Sequence, residues 1–301
     1  MSIEKLISAL TSEGVEHKTN MPLSILSSFK IGGNASLAVF PKSREEMAAA
    51  VRASRAEGVR YAVIGRGSNV LFSDDGFDGA IILTNYIKQI RKENDIIYAE
   101  TGVHLGVLAS LAASCSLSGL EFSYGIPGSL GGAVFMNAGA YGGEMSDVVE
   151  YSDYYDPETD TFGRFSGNEQ GFSYRESVYS KRGDLVILGA SLKLREGDGE
   201  AIRALMSENM QKRKDKQPVE LPSAGSAFKR PAVGFAAQMI DECGLKGLSI
   251  GGAAVSEKHA GFIVNNGGAT ANDVKALMKE VADRVYERFG VRLESEIRYI
   301  D

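Results

Sequence analysis

Residues 125–143 read GIPGSLGGAVFMNAGAYGG, and seven of these nineteen residues are glycine. Glycine reaches positive φ and lets backbone come close to a neighbour, at an entropic cost on folding. A flexible linker or polar loop tip would be rich in Ser, Lys and Glu. This stretch carries no charge and holds Ile126, Leu130, Val134, Phe135 and Met136 instead. It reads as a buried segment pressed against something large and flat. The competing reading is a tight, glycine-packed turn inside a core.

A chain of 301 residues allows about two domains, or three small ones. Its apolar content of 44% and charged content of 24% are ordinary for a globular protein. A net charge of −6 argues against the broad basic footprint of a nucleic-acid binder. The apolar runs fall short of the roughly 20 residues of a membrane span. The N-terminal MSIEKLISALTSEG reads as an amphipathic helix with Ile3, Leu6, Ile7 and Leu10 on one face, not as a signal peptide. Cys115 and Cys243 lie in apolar helical patterns and read as core residues of a reducing cytoplasm.

Hydrophobic periodicity orders the chain. Residues 43–57 predict a helix with a Ser43/Glu46 capping box and a stop at Gly58. YAVIG (61–65), GAIILTNY (79–86) and DIIYAET (95–101) predict strands, and 104–118 a second helix ahead of Gly119. VVEYSDYYD (148–156) and DLVILGASLKL (184–194) predict strands. A polar helix over 197–218 ends in a basic cluster, and a domain boundary is expected near residue 200. Beyond it come a helix over 235–243, a two-stranded element over 248–265, a periodic helix over 272–289 and a strand over 291–300. Mixed elements with adjacent strands indicate an α+β protein.

Gly65-Arg66-Gly67-Ser68-Asn69 is the second informative loop. It comes after a strand, so successive backbone N–H groups can form an anion-binding nest, with Ser68 and Asn69 as side-chain donors. The Rossmann fingerprint fails here, because the sixth position is Val70 and the residues beyond it read as strand, not helix. Two glycine loops 60 residues apart, each bordered by apolar segments, suggest one long ligand with a pyrophosphate and a flat ring, such as FAD. The alternative is two unrelated tight turns. Other chemistry is poorly supported. His17, His104 and His259 make no metal motif, the cysteines lack C-x-x-C spacing, and there is no G-x-S-x-G elbow. His104 opens a helix and His259 lies in a turn.

SFKIGGNA (28–35), VIGRGSNVLFSDDGF (63–77), GLEFSYGIPGSLGGAVFMNAGAYGGE (119–144), FSYRES (172–177), KQPVELPSAGSAFKRP (216–231) and LESEIRYI (293–300) occur in order. With these motifs the chain resembles the UDP-N-acetylenolpyruvoylglucosamine reductases of bacterial peptidoglycan synthesis over nearly its whole length. The resemblance implies a two-lobed FAD-binding domain of the vanillyl-alcohol oxidase (PCMH) type, with lobes at 1–85 and 86–199, and an α+β substrate-binding domain at 200–301. It also implies noncovalent FAD, since the GRGSN loop offers no His or Cys. The cofactor loops would be Gly65, Arg66, Gly67, Ser68, Asn69 and Val70, together with Gly125, Ile126, Pro127, Gly128, Ser129, Gly131, Gly132, Ala133 and Asn137.

The reaction implied has two halves. NADPH reduces FAD and leaves, and the enolpyruvyl ether of the UDP-sugar is then reduced to UDP-N-acetylmuramate. Three residues match the family's catalytic positions. Arg175 would hold the substrate carboxylate with its fixed fork. Ser226 would protonate the carbanionic carbon. Glu296 would assist the enolate, as a protonated carboxyl with a raised pKa or through water. Read without the family, Arg175 is a solvated charge, Ser226 a turn serine and Glu296 part of a solvated strand face. Lys216 would meet the UDP moiety, with Tyr141, Lys229 and Arg230 as further substrate contacts. Ser27 and Ser28 stand where the family often has threonines. Only 50 residues separate Arg175 from Ser226, so the chain matches the shorter type, without the inserted loop that closes over substrate. The implied protein is a cytoplasmic bacterial enzyme, a monomer or at most a weak homo-oligomer, that binds neither nucleic acid nor membrane. The rivals are another FAD-dependent sugar or lactone oxidoreductase of the superfamily and a noncatalytic UDP-sugar-binding protein.

Overall fold

The computed structural model describes residues 2–301. Helices and strands are mixed, as the α+β reading expects, and no described helix is long and apolar enough to cross a membrane. The chain divides into two compact units, and neither is contiguous. The larger holds residues up to Thr19, then Leu37–Arg66 and Gly79–Lys212. The smaller holds Asn20–Ser36, Gly67–Asp78 and Arg213–Asp301.

The larger unit has two cores. In the first, the helix Ile3–Ser12 buries Leu6 and Leu10 beside Met47 and Val51 of the helix Arg44–Ala56. The second helix starts as expected at Ser43, whose Oγ accepts from Glu46 N. The capping box is only half formed, because the Glu46 carboxylate accepts from Lys42 N instead. Tyr61–Ile64 pairs in parallel with the Ala80–Leu83 part of the strand Phe77–Leu83, and Leu37 and Val39 from the end of Asn34–Val39 join the same core. The second core lies on an antiparallel sheet ordered Thr161–Ser166, Val149–Asp156, Val186–Lys193, Ile96–Glu100 and Ile90–Glu93. Val186–Lys193 feeds both cores, through Val186 and Leu188 to the first and Ile187 and Leu192 to the second. That accounts for its nearly continuous apolar run.

Three findings add to or correct the expectations, the last of them reaching Cys243 in the smaller unit. The 104–118 helix is Leu105–Ser114, ended where Ser116 turns left-handed at φ 56° so that Leu117–Ser118 can pair with Arg195–Glu196. The glycine segment contains a six-residue helix, Leu130–Phe135. Cys115 and Cys243 are free thiols at helix C-caps, half-buried and not fully in the core.

In the smaller unit the sheet order is Ser223–Ser226, Phe262–Asn265, Ala253–Val255, Ser249–Ile250. The expected two-stranded element therefore supplies three strands of a four-stranded sheet. The helix Ala271–Phe289 runs from the Thr270/Asp273 capping box to left-handed Gly290 and buries Val274, Leu277, Met278, Val281 and Val285. This core also takes in Phe29, Ile31 and Leu71 from early in the chain. The expected strand over 291–300 is reduced to Arg298–Ile300, which pairs in parallel with Val70–Phe72. Upstream of it, only an isolated bridge joins Ser295 to Phe228.

Candidate cofactor and substrate site

Within the larger unit, Gly65 at the start of the first glycine loop lies against Ser129 of the second. Gly65 comes directly after the strand Tyr61–Ile64, and a Cβ built on it would lie 2.5 Å from Ser129 Oγ and 3.8 Å from Thr84 Oγ1. Ser129 in turn bridges His104, and Leu105 N donates to Gly128 O at 3.1 Å. Gly131 is buried where a side chain would collide with Thr101 Oγ1, and its N–H donates to Thr101 O at 2.8 Å. Glycine is needed at Gly65 and Gly131 because other segments occupy the space of a Cβ. Gly125, Ile126, Pro127 and Gly128 lead into the helix, while Gly132 is exposed and Ala133 buried. His104 Nδ1 accepts from Gly106 N at 3.0 Å. Burial first, and Arg66 second, push the His104 imidazole below its ordinary pKa, so it is neutral beside the Arg66 cation.

The rest of the GIPGS–GAYGG segment fixes Arg175. Asn137 is buried, with its Nδ2 donating to Glu144 Oε1 and Ser173 O at 3.0 and 3.1 Å and its Oδ1 accepting from Ser146 N. Its side chain is thus committed to pinning the YRES turn. In that turn Ser173 and Glu176 exchange backbone hydrogen bonds, and Arg175 is left-handed at φ 58°. Arg175 Nη2 donates to Gly139 O at 3.2 Å. Gly139–Ala140 and Gly143–Glu144 form a hairpin whose two-residue tip, Tyr141-Gly142, has φ 53° and 88°. Positive φ at both tip residues is what such a turn requires, and it leaves Tyr141 exposed. A left-handed arginine and a left-handed tyrosine on touching loops are the local strain that sites of function tend to hold.

The smaller unit gathers the other motifs. Gly67 lies against Leu26, and its carbonyl accepts from Ser28 N, while Ser28 Oγ donates to Ser223 O at 2.7 Å. Ser68 is half-buried, and Val70 begins the strand Val70–Phe72. Asn69 O accepts from Arg298 N, and Asn69 Nδ2 donates to Glu296 O at 3.0 Å. Glu296 N donates to Ala227 O at 2.9 Å. Asn69, Glu296 and the residue after Ser226 are therefore joined in one hydrogen-bonded row. Ser226 is exposed at the end of Ser223–Ser226, whose register against Phe262–Asn265 slips by one residue. The slip is a bulge, with Gly225 at φ 78°, and bulges re-aim the side chains beside them. Lys229 pairs with Glu294 at 3.5 Å, the Arg230 guanidinium lies 5.0 Å from the Phe235 ring centre, and Lys216 is exposed at the end of Gly199–Lys216. His259 is a turn residue whose Nδ1 accepts from Gly261 N, and burial lowers its pKa.

Residues 217–300 match the family described as the C-terminal domain of UDP-N-acetylenolpyruvoylglucosamine reductase, and residues 35–161 match an FAD binding domain. The UDP-N-acetylenolpyruvoylglucosamine reductase of Syntrophomonas wolfei is 46% identical over 94% of this chain and 94% of its own length. The crystal structure of the Thermus caldophilus UDP-N-acetylenolpyruvylglucosamine reductase superposes with a TM-score of 0.80 at 36% identity, covering 95% of this chain and 99% of that one. The chain belongs to the UDP-N-acetylenolpyruvoylglucosamine reductase family. A berberine-bridge-enzyme-like protein of Physcomitrella patens shares the fold alone, with a TM-score of 0.50 at 16% identity over 64% of this chain and 44% of its own. The reductase fold here is the vanillyl-alcohol oxidase type of FAD-binding architecture joined to an α+β C-terminal domain. The residues around Gly65 fit FAD, because Ser129 Oγ and Thr84 Oγ1 are buried polar atoms without a hydrogen-bond partner inside the protein. Sequence reasoning misses Thr84, since a threonine at the end of an apolar strand carries no signal of its own.

Proposed function

We propose that this FAD-dependent oxidoreductase of peptidoglycan precursor synthesis reduces the enolpyruvyl group of UDP-N-acetylenolpyruvoylglucosamine to UDP-N-acetylmuramate. We further propose that it uses NADPH and works as a monomer in the bacterial cytoplasm. When bound, FAD supplies hydride taken from NADPH. The proposed division of labour gives FAD to residues 1–85 and 86–199 and the UDP-sugar to 200–301. In it Gly65–Val70, with Gly125–Ser129 and Gly131–Ala133, cradle the cofactor, and Asn137 fixes the loop beyond them.

Arg175 binds the substrate carboxylate. A guanidinium stays charged throughout, so it also stabilises the negative charge that develops next to that carboxylate. Ser226 holds its proton at Oγ and gives it to the carbanionic carbon; the enolate is basic enough to take a proton from a well-placed hydroxyl. Glu296 supports the same charge as a protonated carboxyl or through water. Tyr141, Lys216, Lys229 and Arg230 bind the rest of the UDP-sugar. The observation that supports this reading best is the row joining Asn69, Glu296 and Ala227, because it ties a proposed cofactor loop to one proposed catalytic residue, Glu296, and to the chain neighbour of another, Ser226.

An anaerobic comparison tests it. In Ser226→Ala, NADPH should still bleach the flavin, while reoxidation by the enolpyruvyl substrate should slow by on the order of 10²–10⁴. Reoxidation at the parent rate would remove Ser226 from the chemistry.

A further inference from the structure

Buried oxygens without hydrogen-bond partners are concentrated in one part of the larger unit: Thr84 Oγ1, Asn85 Oδ1 and Ser129 Oγ. Thr84 is 4% exposed and Ser129 1%. A hydroxyl taken out of water and left unpaired is destabilising, so folded chains rarely keep one without a use for it. Thr84 comes directly after the strand Phe77–Leu83, which runs parallel to Tyr61–Ile64 with Ile64 opposite Leu83. Thr84 and Gly65 are therefore neighbours at the carboxyl ends of two parallel strands, where open α/β sheets receive their ligands. The Cβ position of Gly65 lies 3.8 Å from Thr84 Oγ1 and 2.5 Å from Ser129 Oγ, so both hydroxyls flank the turn that begins the cofactor loop.

We propose that Thr84 is a cofactor-binding residue, donating its hydroxyl hydrogen, together with Ser129, to a phosphate oxygen of FAD at the Gly65 turn. This rests on the reading of the chain as an FAD enzyme. Phosphate oxygens only accept, so each hydroxyl rotates to donate, and hydrogen bonds to a charged acceptor are the strong ones. Arg66 adds the positive charge next to the turn. The side-chain amide oxygen of Asn85 only accepts, so it is no partner for a phosphate.

Thr84→Val keeps the shape of the side chain and removes the hydroxyl, while Thr84→Ser keeps the hydroxyl. Purified holoenzyme is diluted and flavin release followed by the fluorescence of free FAD, alongside FAD titration of the flavin-stripped protein and phosphorus NMR of the bound cofactor. The valine variant should bind FAD about tenfold more weakly and shift a pyrophosphate resonance, and the serine variant should stay near the parent in both. Unchanged FAD binding in Thr84→Val would overturn the assignment, as would equal weakening in both variants, which would mean packing alone. A parent protein that takes up no FAD would instead overturn the cofactor reading itself.

Discussion

Gly225 and Gly65 are both required, for opposite physical reasons. At Gly225 the space beyond the Cα is open, but the backbone is left-handed at φ 78°. Gly225→Ala should therefore fold with a loss of about 1–2 kcal/mol. The strained residue can relax by flattening the bulge, which turns Ser226 away. Substrate-driven reoxidation should fall at least tenfold (about 1.4 kcal/mol in the barrier) while flavin reduction holds; stopped-flow traces of the two halves separate these effects. At Gly65 the backbone is ordinary and the space is filled, so an added methyl must push Ser129 Oγ from 2.5 Å. Gly65→Ala is expected to release FAD faster with little change in the substrate half-reaction, as read by free-flavin fluorescence. Equal loss of both halves in either variant would show that it acts through general destabilisation.

The helix Ala271–Phe289 is held at its start by two carboxylates. Asp74 accepts from Ala271 N at 2.6 Å and from Asn272 N at 3.0 Å, while Asp273 closes the box with Thr270. These take up N–H groups that a helix end otherwise leaves unpaired. Asp74→Ala should lower stability in urea by about 1–2 kcal/mol. The Asp273 carboxylate is held below its ordinary pKa of 3.8, mainly by the Thr270 backbone N–H. Its contribution is thus complete above 3.8 and disappears as pH falls through the lower folded value. Asp273→Asn should show a weaker loss of stability on acidification over that interval than the parent. Identical acid profiles would rule this linkage out. This helix is legible in sequence because its periodicity, cap and stop all agree. Leu130–Phe135 is not: its residues are glycine-rich, and its first N–H groups donate to Val103 O and Thr101 O, contacts that no local pattern encodes. The strand Arg298–Ile300 is shorter than its pattern for a similar reason, since alternation extends past the length for which Val70–Phe72 offers a partner. The candidate site is legible as motifs. Its geometry is not, because the bulge before Ser226 and the orphaned Thr84 depend on strands distant in sequence.

Both units are assembled from separated stretches of chain. Phe29, Ile31 and Leu71 complete a core otherwise built from residues beyond 213, and Asn265 Nδ2 donates to Phe29 O at 3.1 Å. Val70–Phe72 is the only strand paired with Arg298–Ile300 among the described residues. A fragment spanning 213–301 should therefore fail to unfold cooperatively and should show a collapsed, poorly dispersed NMR spectrum. A sharp two-state melt would contradict this. The same arrangement governs events on the ribosome. At about 5–20 residues per second, Phe29 and Ile31 emerge on the order of tens of seconds before the residues they will pack against have been made. During that interval these two greasy side chains have no native home, and the growing polypeptide carries them unburied until its last third has been synthesised.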